Sequence, residues 1–170
     1  METETKRHFA ALDKAVHNRA AFSCGVLELD NYLKSQATQD QKRNVSQPYV
    51  LTDDTGTIYG YYTLSSGSVN LEQLPEAARK GLPHYPQMPV ILLGRLATEK
   101  QFQGQGIGAS LLADALKRSY EVSQSIGALA VVVRAKNDQA ASFYQKHEFI
   151  VSQTDPYVLM LPMKTIASLM

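Results

Sequence analysis

Three glycines at alternate positions, Gly104, Gly106 and Gly108, stand between a β-type run and a helical pattern, and no other stretch restricts the fold as much. Residues 90–97 before them (Val-Ile-Leu-Leu-Gly-Arg-Leu-Ala) read as a strand, and Leu111, Leu112, Ala115 and Leu116 behind them share one helical face. A strand, a glycine loop and a helix start in succession aim several backbone N–H groups at one point, and the helix adds partial positive charge there. An anion such as a pyrophosphate is the expected occupant. Side chains at the three positions would crowd its approach, which gives glycine a purpose where it otherwise lowers helix stability. The plainer reading is an ordinary glycine-rich strand-to-helix turn.

Three kinds of anion loop compete. A Walker A loop requires Gly-Lys-Ser/Thr, whereas Gly108 is followed by Ala109 and Ser110. A dinucleotide fingerprint is formally met by Gly104, Gly106 and Ala109, but six residues separate Ala97 from Gly104, and the next strand ends at Arg134 and not at an acid. That reading is weakened and stays open. The third pattern, Gln/Arg-x-x-Gly-x-Gly/Ala, is met by Gln103, Gly104, Gln105, Gly106, Ile107 and Gly108, and here the chain resembles the GCN5-related N-acetyltransferases. A second element of that family follows at 137–149, where Asn137, Ala140, Phe143, Tyr144 and Phe149 are similar to N-x-x-A-x-x-F-Y-x-x-x-G-F.

The 170 residues suit one domain, 1–170, with a single core. Seventeen basic against sixteen acidic residues advertise neither nucleic acid nor membrane as partner. The polar N-terminus lacks a signal-peptide core, and the apolar runs are far shorter than the roughly 20 residues that span a bilayer. A soluble, cytoplasmic protein is expected. The lone Cys24 has no evident base beside it and reads as a buried structural thiol.

In chain order, a short strand is expected near 8–12. An amphipathic helix follows over 26–43, with Val26, Leu29, Leu33 and Ala37 inward and Ser23 as cap. Its outer face carries Lys34, Gln36, Gln39, Lys42 and Arg43, which on spacing alone is a solvated face. A hairpin of 48–52 and 57–64 turns at 53–56, and Ser65-Ser-Gly-Ser68 breaks the second strand. A short helix at 71–80 and a proline-rich connector at 83–89 precede the strand at 90–97. The helix after the glycine loop runs to about Ile126, with a buried strand at 129–133, a helix at 138–146 and strands at 149–152 and 157–161 behind it. This order indicates a mixed α/β fold, a central mixed β-sheet flanked by helices on both faces, which agrees with the acetyltransferase fold.

The resemblance implies an acetyl-CoA-dependent N-acetyltransferase without a metal. Its loop 103–108 would hold the coenzyme pyrophosphate, backbone groups of Leu96, Ala97 and Thr98 would line the pantetheine arm and the oxyanion, and Asn137 would approach the coenzyme. Tyr144 would point at the sulfur. The chemistry needs an N–H donor for the developing oxyanion and a proton for the leaving thiolate, and a phenol near pKa 10 is a candidate acid for a thiol near 8.5. A buried tyrosine with a satisfied hydroxyl is the alternative. None of His8, His17, His84 and His147 presents itself as a base. An α-amine, with a pKa of about 7.7 to 8.0, needs none, whereas a lysine near 10.4 would. Glu148 stands where the family has glycine, so a different exit from the helix, or strain, is expected there.

Within the superfamily, Phe22 to Gly25, Leu29 to Leu33, Gln36-Ala37, Gln39 to Gln41, Gly60 to Val69 and Leu93 to Ala97 look like the toxin acetyltransferases of bacterial toxin–antitoxin pairs. That resemblance implies charged tRNA as substrate, a ribbon-helix-helix antitoxin as partner and room for a homodimer. Lys34, Lys42, Arg43, Arg79, Lys80 and Arg95 would be available to meet phosphates. An acetyltransferase of protein N-termini or small amines, and a non-catalytic acyl-CoA-binding module, are the other readings.

Overall fold

The computed structural model describes residues 6–170; Met1 to Thr5, part of the polar N-terminus noted above, lie outside the described residues. The elements in order are β1 (His8–Ala11), α1 (Leu27–Asn31), a π-helical segment (Tyr32–Gln36), α2 (Ala37–Lys42), β2 (Gln47–Thr52), β3 (Ile58–Asn70), a 3₁₀ turn (Leu71–Gln73), α3 (Glu76–Arg79), β4 (Gln87–Thr98), a second 3₁₀ turn (Lys100–Phe102), α4 (Ile107–Ser123), β5 (Ala130–Arg134), α5 (Asp138–Lys146), β6 (Ile150–Val151), β7 (Val158–Pro162) and α6 (Met163–Ser168). The strands form a seven-stranded sheet in the order β1-β2-β3-β4-β5-β7-β6, flanked by helices, and the fold is mixed α/β.

The chain divides into two compact units, residues 1–65 with 95–115 and residues 66–94 with 116–170. In the first, β1 and β2 pair antiparallel from His8↔Thr52 to Ala11↔Tyr49, and β2 pairs antiparallel with the start of β3. Its core gathers Phe22, Tyr32, Leu33, Val50, Ile58 and Tyr61. Phe22 meets the Tyr61 ring edge-on at 5.6 Å and Tyr32 stacks on it at 6.5 Å. In the second, β4 and β5 run parallel from Ile91↔Val131 to Leu93↔Val133, and β5 and β6 each pair antiparallel with β7. Val132 and Val158 lie in the core there with Val69, Leu74, Val90 and Met160, so of the apolar run at 129–133 the strand residues 130–133 are buried, while Leu129 precedes the strand and is partly buried.

Several elements depart from the sequence expectation, each for a local reason. The expected helix at 26–43 is interrupted by a π segment, in which the Ala37 N–H donates to the Tyr32 carbonyl five residues back. Ser23 is not its cap. Val26 holds the N-cap position with no side-chain bond, and the buried carboxylate of Asp30 reaches back to the Cys24 N–H at 2.8 Å and the Ser23 hydroxyl at 3.4 Å. The Ser-Ser-Gly-Ser stretch does not break β3, which continues to Asn70. A Cβ at Gly67 would stand 2.7 Å from the Leu92 side chain, so glycine there permits close approach and marks no turn. The helix expected at 71–80 is split by Pro75 into a 3₁₀ turn and α3. β4 starts at Gln87, within the expected connector, and α4 ends at Ser123. Helix α6, whose Met163 and Ile166 are buried, was not expected from the sequence.

Helix α5 has the predicted bounds, and its end answers the question raised by Glu148. The Phe149 N–H donates to the Tyr144 carbonyl and the Glu148 N–H to the Gln145 carbonyl, each at 3.1 Å, which is the double closure of a Schellman end. Phe149 also packs its ring 5.3 Å from that of Tyr144, the apolar contact that accompanies such an end. Glu148 holds φ +72°, so the chain keeps the glycine geometry and accepts the strain. Glu148→Gly is expected to stabilise the protein by about 1 kcal/mol and to raise Tm by roughly 2–4 °C, measured by thermal unfolding.

Candidate active site

The glycine loop is set by backbone conformation. Gly104 and Gly106 hold φ of +83° and +80°, and a Cβ at either would meet nothing within 4 Å, so glycine is needed there for the left-handed turn itself. Helix α4 starts at Ile107, the Ser110 N–H donates to the Gly106 carbonyl, and the first turn carries no acidic residue. Its opening N–H groups have no carbonyl behind them within the helix, and the positive end of the dipole is not neutralised by a neighbouring carboxylate.

Behind the loop stands a strut. The Lys100 N–H donates to the Ser23 carbonyl at 2.8 Å, and Gln103 Nε2 donates to the carbonyls of Cys24 at 3.0 Å and Thr98 at 3.2 Å. Asp30 holds Ser23 and Cys24 from the other side. The Gln103 side chain is therefore a brace, and only its backbone remains for an anion. Cys24 is buried and in no disulfide. Leu96 and Thr98 are half-buried and Ala97 is buried at the end of β4. A Cβ at Gly60 would lie 2.8 Å from the Ala97 carbonyl and 2.7 Å from the Leu111 side chain, so Gly60 allows strand end and helix to come this close.

Asn137 and Tyr144 sit two turns apart on α5 in the second unit. Asn137 caps α5, its side chain accepting the Ala140 N–H at 2.9 Å, a structural duty the motif alone did not disclose. Tyr144 is 8 % exposed and packs against the rings of Phe143 and Phe149 at 5.2 and 5.3 Å. Its hydroxyl has no hydrogen bond among the described residues, and no sealed side-chain nitrogen or oxygen among them lacks a partner. The hydroxyl therefore keeps some accessible surface. Burial pushes its pKa up to about 12. The phenol is thus held protonated across the physiological range, and a thiolate brought into the same apolar surroundings would be raised for the same reason.

The six candidate phosphate contacts do not share one environment. Lys34, Lys42 and Arg43 are exposed in the first unit, Lys42 lining a groove with Ala11, Lys14 and Gln39. Arg79 and Lys80 line a cavity of about 880 Å³ in the second unit with Glu76 and His84. The Arg95 guanidinium lies 3.5 Å above the Tyr32 ring, whose hydroxyl donates to Asp40 at 2.7 Å, so one face of Arg95 is occupied. The Asp40 carboxyl is held below its ordinary value by hydrogen bonds from Gln36 and Tyr32 and by the Arg95 and Arg43 charges. Sequence reasoning missed the roles of Asp30, Tyr32 and Asp40. An acid on the inward side of an amphipathic helix was the available signal for Asp30. Of the four histidines, His8 and His84 are exposed, His17 is buried, and His147 packs edge-on to the Phe143 ring at 4.9 Å. No group of three or more potential metal ligands occurs among the described residues.

Residues 45–151 match the acetyltransferase (GNAT) domain model, and the chain belongs to the GNAT acetyltransferase family; it is an N-acetyltransferase. A tRNA-acetylating toxin of Mycobacterium tuberculosis is 40 % identical over 149 residues, covering 88 % of each chain. The structure of AtaT complexed with acetyl-methionyl-tRNAfMet superposes with a TM-score of 0.90 at 28 % identity, covering 96 % of this chain and 99 % of that one. A Tyr-to-Phe variant of AtaT bound to the C-terminus of the antitoxin AtaR and acetyl-CoA gives 0.82 at 27 % identity, with 96 % and 97 % covered.

The Tyr144 environment has a titration signature. A phenol whose folded-state pKa is raised from about 10 to about 12 favours folding fully below pH 10, and that contribution is lost as pH rises through 12. The difference in unfolding free energy between wild type and Tyr144→Phe is expected to change by roughly 2–3 kcal/mol between pH 9 and 12, read from denaturant titrations.

Proposed function

We propose that this acetyltransferase transfers acetyl from acetyl-CoA to the α-amine of the aminoacyl group on charged tRNA, blocking translation. In this reading it works in the cytoplasm as a toxin restrained by a ribbon-helix-helix antitoxin. The observation that carries the reading is the 40 % identity to a tRNA-acetylating toxin over 88 % of the chain, which extends well beyond the 45–151 span of the general acetyltransferase model. The resemblance thus runs through segments outside the coenzyme site, and those are the segments that would shape acceptor choice. The structural likeness to AtaT in complex with an acetylated aminoacyl-tRNA supports the same acceptor, and likeness to AtaT with the AtaR C-terminus supports an antitoxin partner.

In this mechanism the 103–108 loop and the first turn of α4 hold the coenzyme pyrophosphate by backbone N–H groups, and the N–H groups around Leu96 and Ala97 receive the oxyanion as the amine attacks. The tetrahedral adduct collapses with cleavage of the C–S bond, Tyr144 gives its proton to the departing sulfur, and the proton that the attacking nitrogen must lose passes to solvent, from which the Tyr144 oxygen is reprotonated. Desolvation weakens Tyr144 as an acid but strengthens the thiolate as a base by the same route, so the proton transfer keeps its driving force. The amine needs no dedicated base because an α-amine is partly neutral near pH 7 to 8. No helix among the described residues is long and apolar enough to cross a membrane.

Gly106→Val is expected to weaken acetyl-CoA binding at least tenfold by calorimetry, because a β-branched residue cannot hold φ +80° without strain. Unchanged binding would remove the loop from the coenzyme site. Incubated with labelled acetyl-CoA and total charged tRNA, the protein should label the aminoacyl group. Tyr144→Phe should keep coenzyme affinity and lose on the order of 10²–10⁴ in turnover. Label found only on peptides or small amines would instead assign the enzyme to those acceptors.

A further inference from the structure

A cavity of about 430 Å³ in the first unit is lined by Lys14, His17, Asn18, Arg19, Ala20 and Lys34. None of these is acidic. His17 is 7 % exposed, and its Nδ1 accepts the Asp13 N–H at 2.9 Å, so the neutral ring carries its proton on Nε2. Burial lowers its pKa, with the His8 charge adding to the lowering and the Asp13 carboxylate opposing it, and the ring is neutral at pH 7. Nε2 has no hydrogen bond among the described residues, while no sealed polar side-chain atom among them lacks a partner. The Nε2–H therefore opens onto accessible space, and the cavity is the space that the ring lines.

Arg19 is fixed beside it. Its Nη1 donates to the Leu33 carbonyl in the π segment at 3.2 Å and to Thr38 Oγ1 at 3.5 Å, which leaves Nε and Nη2 without a hydrogen bond among the described residues. Lys14 and Lys34 are exposed at the rim. The cavity thus combines one buried neutral donor, one anchored guanidinium and two exposed ammonium groups. A polyanion passing over the surface can meet all of them, because one phosphate can enter the cavity while its neighbours stay in solvent at the lysine rim.

We propose that this cavity is a phosphate-binding subsite for the backbone of the RNA acceptor, with Lys14, Arg19 and Lys34 supplying the charge and the His17 Nε2–H a further donor. It rests on charged tRNA being the acceptor. It also answers the near-neutral composition: the cations needed for RNA are concentrated locally, and two of the three, Lys14 and Arg19, lie in the N-terminal stretch without clear periodicity.

The test measures binding of uncharged total tRNA by fluorescence anisotropy between 50 and 200 mM salt, using the full chain. Lys14 and Lys34 make no hydrogen bond among the described residues, so a Lys14→Gln, Lys34→Gln double variant should fold as wild type. Loss of two phosphate contacts should lower the slope of log affinity against log salt by about 1.6, so that the fourfold salt step weakens wild type roughly ninefold more than the variant. Arg19→Gln should lower the slope by about 0.8, and Arg19→Lys should retain it. Acetyl-CoA affinity and Tm should not move in the double variant. Wild-type slopes in all variants would overturn the subsite, and a loss of acetyl-CoA affinity with the tRNA slope intact would assign the phosphate to the coenzyme instead. If wild-type protein labels no charged tRNA, the acceptor itself is wrong, a result separate from the slopes.

Discussion

The buried carboxylate of Asp30 organises the glycine-loop end of the first unit. Asp30 is 6 % exposed, yet it accepts the Cys24 N–H and the Ser23 hydroxyl, and the carbonyls of those same residues accept from Lys100 and Gln103 at the foot of the glycine loop. A buried ion is costly unless its lone pairs are engaged, so the segment at 22–25 has little freedom to turn elsewhere. Its reverse face is then committed to the loop. The glycines contribute conformation and this strut contributes position; backbone N–H groups bind an anion well only when both are settled before it arrives.

The second unit treats Tyr144 in the same manner, through apolar contacts. The helix end uses the Tyr144 carbonyl as the acceptor for Phe149, and the two rings close over one another. Tyr144 is thereby held at its backbone and on its ring, while its hydroxyl stays free of any bond among the described residues that would compete for the proton. The strain at Glu148 belongs to this arrangement, since another exit from the helix would move Phe149 off the tyrosine.

Much of this was legible in the sequence, and the reasons for the rest are specific. The bounds of helix α5 could be read, although the capping duty of Asn137 could not, and the glycine loop could be read because its neighbours are unambiguously strand and helix. The length of β3 could not be read, since Ser65 to Ser68 has turn composition and is held extended by neighbours distant in sequence, Gly67 by Leu92 and Ser68 by Gln87. Helix α6 is only six residues, too short for periodicity to emerge. Two duties were hidden by chemistry that a motif does not encode: Gln103 spends its side chain on two carbonyls, and Arg95 lies flat on Tyr32. His17 and Arg19 stand in a stretch without pattern, and only the folded chain brings them beside Lys34.

The π segment at Tyr32–Gln36 carries one residue more than an ordinary helix would need to cover the same rise, and the wide turn absorbs it. Removing any one residue from it would leave a smooth α-helix of good local stability. What lies beyond the deletion would keep its facing, because the wide turn already takes up the extra residue. Ala37 would still enter the core and Asp40 would stay on the face where it receives the Tyr32 hydroxyl, but the Leu33 carbonyl on which Arg19 rests would be reset to α-helical geometry. The extra residue therefore serves the backbone at the point where Arg19 is anchored, and not the register of α2 behind it.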